Sequence, residues 1–115
     1  MPQYLALTYT ADVNWWAPEQ AAELAEYRRF AVDNAGPIQS SAVLHPTPTA
    51  TVVRVEGARG GKVITTDGPY AETKEALTGY YLIDAGDLDE AVSIAAQLPA
   101  AWNGAVEVRP VIVAR

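Results

Sequence analysis

Apolar positions that alternate with polar ones, or run together in short β-rich segments, predict strands along most of the chain. The first, residues 3–9, has no strongly polar face, which is typical of a strand covered on both sides. The other β-rich segments are residues 38–44, 50–56, 62–66, 78–84 and 105–113. A glycine-rich stretch, Gly57 to Gly61, separates residues 50–56 from residues 62–66, so these two segments are predicted to form a hairpin with a flexible turn.

Helical spacing of apolar residues occurs in two further stretches. Residues 18–35 begin with a proline at the first helical position and are followed by Gly-Pro, which suits a helix end. The second stretch begins at Asp87, an expected N-cap with Glu90 three residues later in capping-box spacing. This helix is predicted to run to about Leu98, with Pro99 ending it.

The predicted order of elements is β-α-β, a hairpin and β-α-β. This order fits an α+β fold of the ferredoxin-like kind with an inserted β-hairpin. Two helices cover only one face of such a sheet, whereas several strands carry apolar residues on both sides. We therefore expect a homodimer that packs sheet to sheet. The length of 115 residues accommodates a single domain, residues 1–115.

Composition and charge narrow the functional classes. A net charge of −6, with scattered Lys and Arg, disfavours direct binding to nucleic acid or to an anionic membrane surface. No apolar run approaches the roughly 20 residues that span a bilayer, and the N-terminus lacks a secretory pattern, so we expect a cytoplasmic protein. The chain has no cysteine and one histidine, His45, so we expect no metal and no cofactor.

Residues 67–75 concentrate polar groups in a short stretch, DGPYAETKE. Asp67–Pro69 has the composition of a tight turn, and a structural turn is one interpretation. The other is a site in which Tyr70, Glu72 and Lys74 bind a substrate and neighbouring carboxylates carry out acid–base chemistry. A charged face exposed to solvent explains the same Glu and Lys residues.

Other side chains are candidates for the same chemistry. His45 is either a general base with Asp67 as its orienting carboxylate, or a surface residue with one hydrogen bond. Arg109, on a predicted strand, is either a clamp for a substrate carboxylate or an exposed ion-pair partner. Tyr80 belongs to a set of aromatic residues that line a pocket or pack in a core or interface. The adjacent Trp15-Trp16 is expected to cover the sheet edge or the mouth of a cleft.

The stretch TDGPYAETKE at residues 66–75, followed by GYYLI at residues 79–83, closely resembles the DGPF group of the YCII-related family. Tyr70 stands where that group usually has Phe. The ending GAVEVRP, residues 104–110, is similar to the family's terminal strand. The resemblance implies a ferredoxin-like subunit that pairs as a dimeric α/β barrel. It also implies lyase- or dehalogenase-type chemistry in members that pair a helix His with an Asp.

In this chain Tyr27 occupies the position of that helix His. The resemblance therefore implies that Asp67, if it is the family acid, works with Tyr27, with His45 or with a residue of the second subunit. Members of the DGPF group also resemble accessory proteins found with extracytoplasmic-function sigma factors. Two hypotheses stay open: an enzyme-like small-molecule site with lyase- or hydrolase-type acid–base chemistry around Asp67, and a non-catalytic dimeric binding or regulatory protein.

Overall fold

The computed structural model, which describes residues 1–113, has an α+β architecture. Four strands form an antiparallel sheet, and two further strands form a separate hairpin. The elements are β1 Gln3–Ala11, α1 Ala21–Asp33, β2 Ile38–Val43, β3 Thr51–Val55, β4 Val63–Asp67, β5 Glu75–Asp84, α2 Leu88–Ala95, α3 Pro99–Asn103 and β6 Ala105–Pro110. Single 3-10 turns precede α1 at Pro18–Gln20 and β3 at Thr47–Thr49. The predicted α+β class and the inserted hairpin are confirmed.

The main sheet has the strand order β2-β5-β1-β6, and every neighbouring pair is antiparallel. Its two faces differ in burial. On β1, Tyr4 and Ala6 are buried, whereas Leu5 and Leu7 on the opposite side are only partly covered. The helices therefore cover one face. We call the other the open face; it carries three apolar pairs of β1 and β5, namely Leu5 with Leu82, Leu7 with Tyr80, and Tyr9 with Leu77.

The hydrophobic core lies between the covered face of the sheet and the helices. Ile83 of β5 and Ala6 of β1 are fully buried in it. Phe30 of α1 packs on Tyr81, with ring centroids 5.2 Å apart. Leu98, after α2, is also fully buried. Helix α2 buries Ala91, Ile94 and Ala95. Asp87 is its N-cap as predicted, because its side chain accepts a hydrogen bond of 2.9 Å from the Glu90 backbone N–H, while the Glu90 carboxylate accepts from the Gly86 N–H at 2.8 Å.

The predicted end of the second helix is wrong. The helix stops at Ala95, and Pro99 begins a further short helix, α3 Pro99–Asn103. The physical reason is that proline breaks a helix interior yet fits the first turn, where its missing N–H costs nothing. The sequence pattern alone does not separate these two roles.

The predicted bounds of the last two strands also need correction. The strand expected at residues 78–84 begins at Glu75, so the end of the DGPYAETKE segment is part of β5, and Ala76 there is buried. The final strand ends at Pro110 and not at residue 113, although the Val111 N–H still donates to the Gln3 carbonyl at 2.9 Å.

The β3–β4 hairpin stands apart from the main sheet. Within residues 1–113 it makes only isolated contacts with other helices and strands. The radius of gyration is 16.3 Å, whereas a compact chain of this length is expected at about 13 Å. The molecule measures 46 × 44 × 19 Å and is therefore flat and extended. In the described part of the chain, no helix combines the length and apolarity that crossing a membrane requires.

Candidate functional site

Trp15, in the segment between β1 and α1, lines two neighbouring cavities. Its side chain is 9% exposed, and it meets the Tyr27 ring of α1 edge to face, with centroids 5.6 Å apart. The indole Nε1–H of Trp15 is buried and has no hydrogen-bond acceptor among the protein atoms of residues 1–113. Buried indole N–H groups usually have a partner, so this donor calls for an explanation.

Two neighbouring cavities share Trp15, Leu24 and Val43 as common wall. The larger one, the outer cleft, has a volume of about 270 Å3. Its remaining lining residues come from the segment before α1, from α1 and from the end of β2: Asn14, Trp16, Arg28, Leu44, His45 and Pro46. The smaller one, the inner cavity, has a volume of about 20 Å3, which is enough for one water molecule.

The inner cavity is lined on the sheet side by hydroxyl groups that bond to one another. The Oγ1 atoms of Thr8 and Thr78 are 3.1 Å apart, and Thr8 also donates to the Gly79 carbonyl at 3.2 Å. Gly79 lies so close to β2 that a Cβ there would come within 2.5 Å of the Ala42 carbonyl oxygen. The close approach of β2 and β5, which shapes this wall, therefore requires a glycine.

Two tyrosines that line the inner cavity, one from α1 and one from β5, have raised pKa values. Burial raises the pKa of Tyr81 to about 12. Burial, followed by the Glu23 carboxylate, raises the pKa of Tyr27 well above its usual range. Both phenols therefore keep their protons at neutral pH and act as donors rather than as bases.

The charges around the outer cleft are unbalanced. Arg28 lines the cleft, and no Asp or Glu does. Within residues 1–113 Arg28 makes no ion pair, whereas the adjacent Arg29 pairs with Asp33 at 3.7 Å. Asn14 Oδ1 accepts the Trp16 backbone N–H at 3.0 Å. The lining of the outer cleft thus carries the permanent positive charge of Arg28 and no carboxylate to balance it.

The DGPYAETKE segment lies elsewhere. Asp67 ends β4, its carboxylate is exposed, and it accepts no hydrogen bond from any group in residues 1–113. The turn depends on Gly68, which has φ of +96° and donates its N–H to the Ala50 carbonyl at 2.8 Å. Glu72 borders a shallow, more polar groove that Thr47 also lines. Asp67 lines neither this groove nor the two cavities around Trp15.

The candidate residues of the sequence fall into three places. Tyr27 and His45 come together around Trp15, one at the inner cavity and one at the outer cleft. A second group, on the DGPYAETKE segment, consists of Asp67, Tyr70, Glu72 and Lys74; the Tyr70 ring there lies 5.5 Å from the Arg54 guanidinium. A third group belongs to the open face: Arg109 pairs with Glu107 at 3.3 Å, and the Tyr80 hydroxyl is 3.2 Å from Ser40 Oγ.

The sequence predicts that Trp15-Trp16 covers either the sheet edge or the mouth of a cleft, and both side chains line the outer cleft. Sequence analysis did not recognise Arg28. The sequence does carry a signal for Arg28. The residues four positions before and after it on the helix, Leu24 and Val32, are apolar, so Arg28 has no acidic partner at this helical spacing. For metals, residues 1–113 hold no group of three or more His, Asp or Glu side chains placed to bind an ion.

Comparison with known proteins agrees with the resemblance of the DGPYAETKE segment. The sequence model described as the YCII-related domain matches residues 3–115. An uncharacterized protein of Rhizobium meliloti (strain 1021) is 38% identical in an alignment 115 positions long, which covers 93% of this chain and 90% of the relative. The similarity therefore extends along nearly the whole of both chains and includes the segments that form the outer cleft.

Proposed function

The chain belongs to the YCII-related domain family, and we propose that it is a small-molecule-binding member whose ligand occupies the outer cleft. The buried, unpartnered indole N–H of Trp15 carries this proposal. A buried donor without an acceptor costs about 1–3 kcal/mol. Trp15 lines both cavities, so a ligand acceptor in the outer cleft removes this cost when the indole turns toward it, whereas in the free chain a water molecule in the inner cavity can do so.

An enzyme-like form of the proposal uses acid–base chemistry. His45 lines the outer cleft and is the candidate base. Tyr27, which lines the neighbouring inner cavity, is the other candidate, and its raised pKa suits it to donating a hydrogen bond rather than to transferring a proton. Asp67 lines neither cavity of its own chain, so its participation requires the second subunit. In this enzyme-like proposal, the second subunit that contributes Asp67 also contributes Tyr70, Glu72 and Lys74 to the site.

We further propose a ferredoxin-like subunit that pairs as a dimeric α/β barrel. The strand order β2-β5-β1-β6 and the β-α-β repeats on either side of the hairpin support this architecture. The partly covered leucines of the open face support pairing through that face. In such a dimer Arg109 and Tyr80 lie at the interface. A cytoplasmic location also stays part of the proposal and is checked by cell fractionation.

A second candidate function is a non-catalytic binding or regulatory dimer, such as an accessory to an extracytoplasmic-function sigma factor. The observation that favours it is the hairpin, where Val53, Val55 and Val63 are exposed on one side. An apolar surface on an element that makes few contacts within its own chain suits a contact with another protein. In this case the DGPYAETKE segment shapes a surface and holds no substrate.

A fragment screen with nitrogen-labelled protein tests the proposed site. The chain has three tryptophans and so gives three indole N–H signals; the Trp15→Phe variant assigns the relevant one. We expect binding fragments to shift the Trp15 signal and to leave that of Trp102 in place, because Trp102 Nε1 already donates to the Ala96 carbonyl at 2.9 Å. Binding that shifts only amide signals of residues 67–75 would contradict the proposal and favour the DGPYAETKE segment.

A further inference from the structure

We infer that the ligand of the outer cleft is a small organic monocarboxylate with a flat, apolar body. This inference rests on the proposed function, because it specifies the ligand of the same cleft. Its starting point is the volume of about 270 Å3, which lies just under the roughly 300–1,000 Å3 typical of sites for drug-sized ligands. The cleft therefore suits a molecule of one ring or a short chain rather than a nucleotide.

The walls of the outer cleft determine the body of the ligand. Trp15 and Trp16 offer aromatic surface, and further apolar surface comes from α1 and from the end of β2 with the residues after it, namely Leu24, Val43, Leu44 and Pro46. Trp16 is 81% exposed in the free chain. A flat apolar group against these walls buries apolar surface and covers Trp16, and both effects favour binding.

The polar groups of the cleft determine the charge of the ligand. Arg28 is a permanent cation and carries donors only. The Trp15 indole also only donates, and it has no protein partner within the described residues. The one amide oxygen in the lining, Asn14 Oδ1, is already engaged by the Trp16 N–H. The Arg28 guanidinium repels an amine or another cation in the outer cleft, whereas a carboxylate there accepts hydrogen bonds from it.

The number of charges points to a single carboxylate. Arg28 is the only Lys or Arg in the lining of the outer cleft, and the chain as a whole carries −6. A dianion such as a phosphate monoester would bring a second negative charge with no second cation to meet it. The charges of one guanidinium and one carboxylate cancel, and such pairs form two parallel hydrogen bonds.

Matched acids and amides test the inference. Benzoate and benzamide, phenylacetate and phenylacetamide, and hexanoate and hexanamide have the same shapes within each pair and differ in charge. Titrations follow the Trp15 indole signal of the full chain. We expect the best acid to bind at least about tenfold more tightly than its amide, which corresponds to about 1.4 kcal/mol, and to bind more weakly as salt is added.

Arg28→Gln is the decisive variant, and Arg29→Gln, at the adjacent exposed position of α1 outside the cleft lining, is its control. We expect Arg28→Gln to remove the preference for the acid, Arg28→Lys to retain part of it, and Arg29→Gln to keep it. Amides that bind as tightly as acids, or an acid preference that survives Arg28→Gln, would overturn the inference and leave the proposed site intact. Failure of every acid, amide and neutral fragment to shift the Trp15 signal would overturn the proposed function itself.

Discussion

The indole ring of Trp15 and the phenol ring of Tyr27 meet edge to face, with their centroids 5.6 Å apart and their planes at 87°. This contact joins the segment before α1 to α1 itself and forms part of the partition between the outer cleft and the inner cavity. Aromatic pairs of this geometry contribute about 0.5–1.5 kcal/mol beyond the surface that they bury. The position of the unpartnered Trp15 N–H is therefore coupled to Tyr27, and both residues are sensitive points for stability and for binding.

Two replacements of Trp15 separate the contribution of its packing to stability from that of its indole N–H. Trp15→Ala leaves a cavity and is expected to lower the free energy of unfolding by about 3–5 kcal/mol. Trp15→Phe keeps most of the aromatic surface and removes the unpartnered N–H, so the gain from losing a buried donor offsets much of the lost packing. We expect Trp15→Phe to stay within about 1 kcal/mol of the parent chain in urea unfolding.

Trp16→Phe is the control, because Trp16 is largely exposed and its replacement should be close to neutral. A loss for Trp15→Phe as large as that for Trp15→Ala would mean that the indole N–H is hydrogen-bonded in solution. Such a result would remove the main support for ligand binding at the outer cleft.

The buried tyrosines make stability fall at alkaline pH. The pKa of Tyr81 is raised from 10.0 to about 12 in the folded chain, while the unfolded chain titrates near the ordinary value. Below pH 10 the phenol is protonated in both states and its stabilising contribution is complete. Between pH 10 and pH 12 only the unfolded state loses the proton, so each pH unit costs about 1.4 kcal/mol. The raised pKa of Tyr27 lowers the free energy of unfolding at alkaline pH in the same way.

Absorbance of the tyrosinate form, recorded together with circular dichroism, measures this effect. We expect Tyr81→Phe to move alkaline unfolding to higher pH, and Tyr70→Phe, at an exposed position, to leave it unchanged. If Tyr81 ionises at the same pH as the exposed tyrosines while the chain stays folded, its side chain is not buried and the prediction is wrong.

Local signals in the sequence predicted local structure well. Asp87 and Glu90 define a helix start because the capping box needs only neighbouring residues. Pro99 was misread because the same residue fits a helix stop and a helix start, and the choice depends on the packing of α3 against the sheet. Non-local geometry was harder still. The sequence pairs Asp67 with His45, with Tyr27 or with a residue of the second subunit. In the folded chain His45 lines the outer cleft and Tyr27 the inner cavity, while Asp67 lines neither.

Gly68, rather than the Asp67 side chain, is expected to hold the turn after β4. Gly68 has φ of +96°, which an L-residue adopts only at a cost of about 1–2 kcal/mol, although a Cβ there would meet no atom within 4 Å. The Asp67 carboxylate is exposed and accepts no hydrogen bond within residues 1–113. Gly68→Ala should therefore destabilise the hairpin, and Asp67→Asn should not.

Because the hairpin makes few contacts with the rest of the chain, amide hydrogen exchange is a better measure than global unfolding. We expect Gly68→Ala to speed exchange at hairpin amides about tenfold, in line with a loss of about 1.4 kcal/mol. Asp67→Asn should leave these rates unchanged. Faster exchange in Asp67→Asn would show that the carboxylate has a structural role. Unchanged exchange together with loss of ligand binding would place Asp67 in a functional site.

The open face predicts a dimer that a single charge disrupts. Leu7 lies in the middle of this face, opposite Tyr80, and is only partly covered within its own chain. A glutamate at this position would bury a charge in a sheet-to-sheet interface without a partner, while the monomer fold tolerates it at a surface. We expect light scattering to give the mass of two 12.3 kDa chains for the parent protein and of one chain for Leu7→Glu.

Val32→Glu, on the exposed side of α1, is the control for added charge and should remain dimeric. A parent protein that is monomeric at micromolar concentration would exclude the proposed barrel, and Asp67 would then lose its route to the outer cleft through a second subunit.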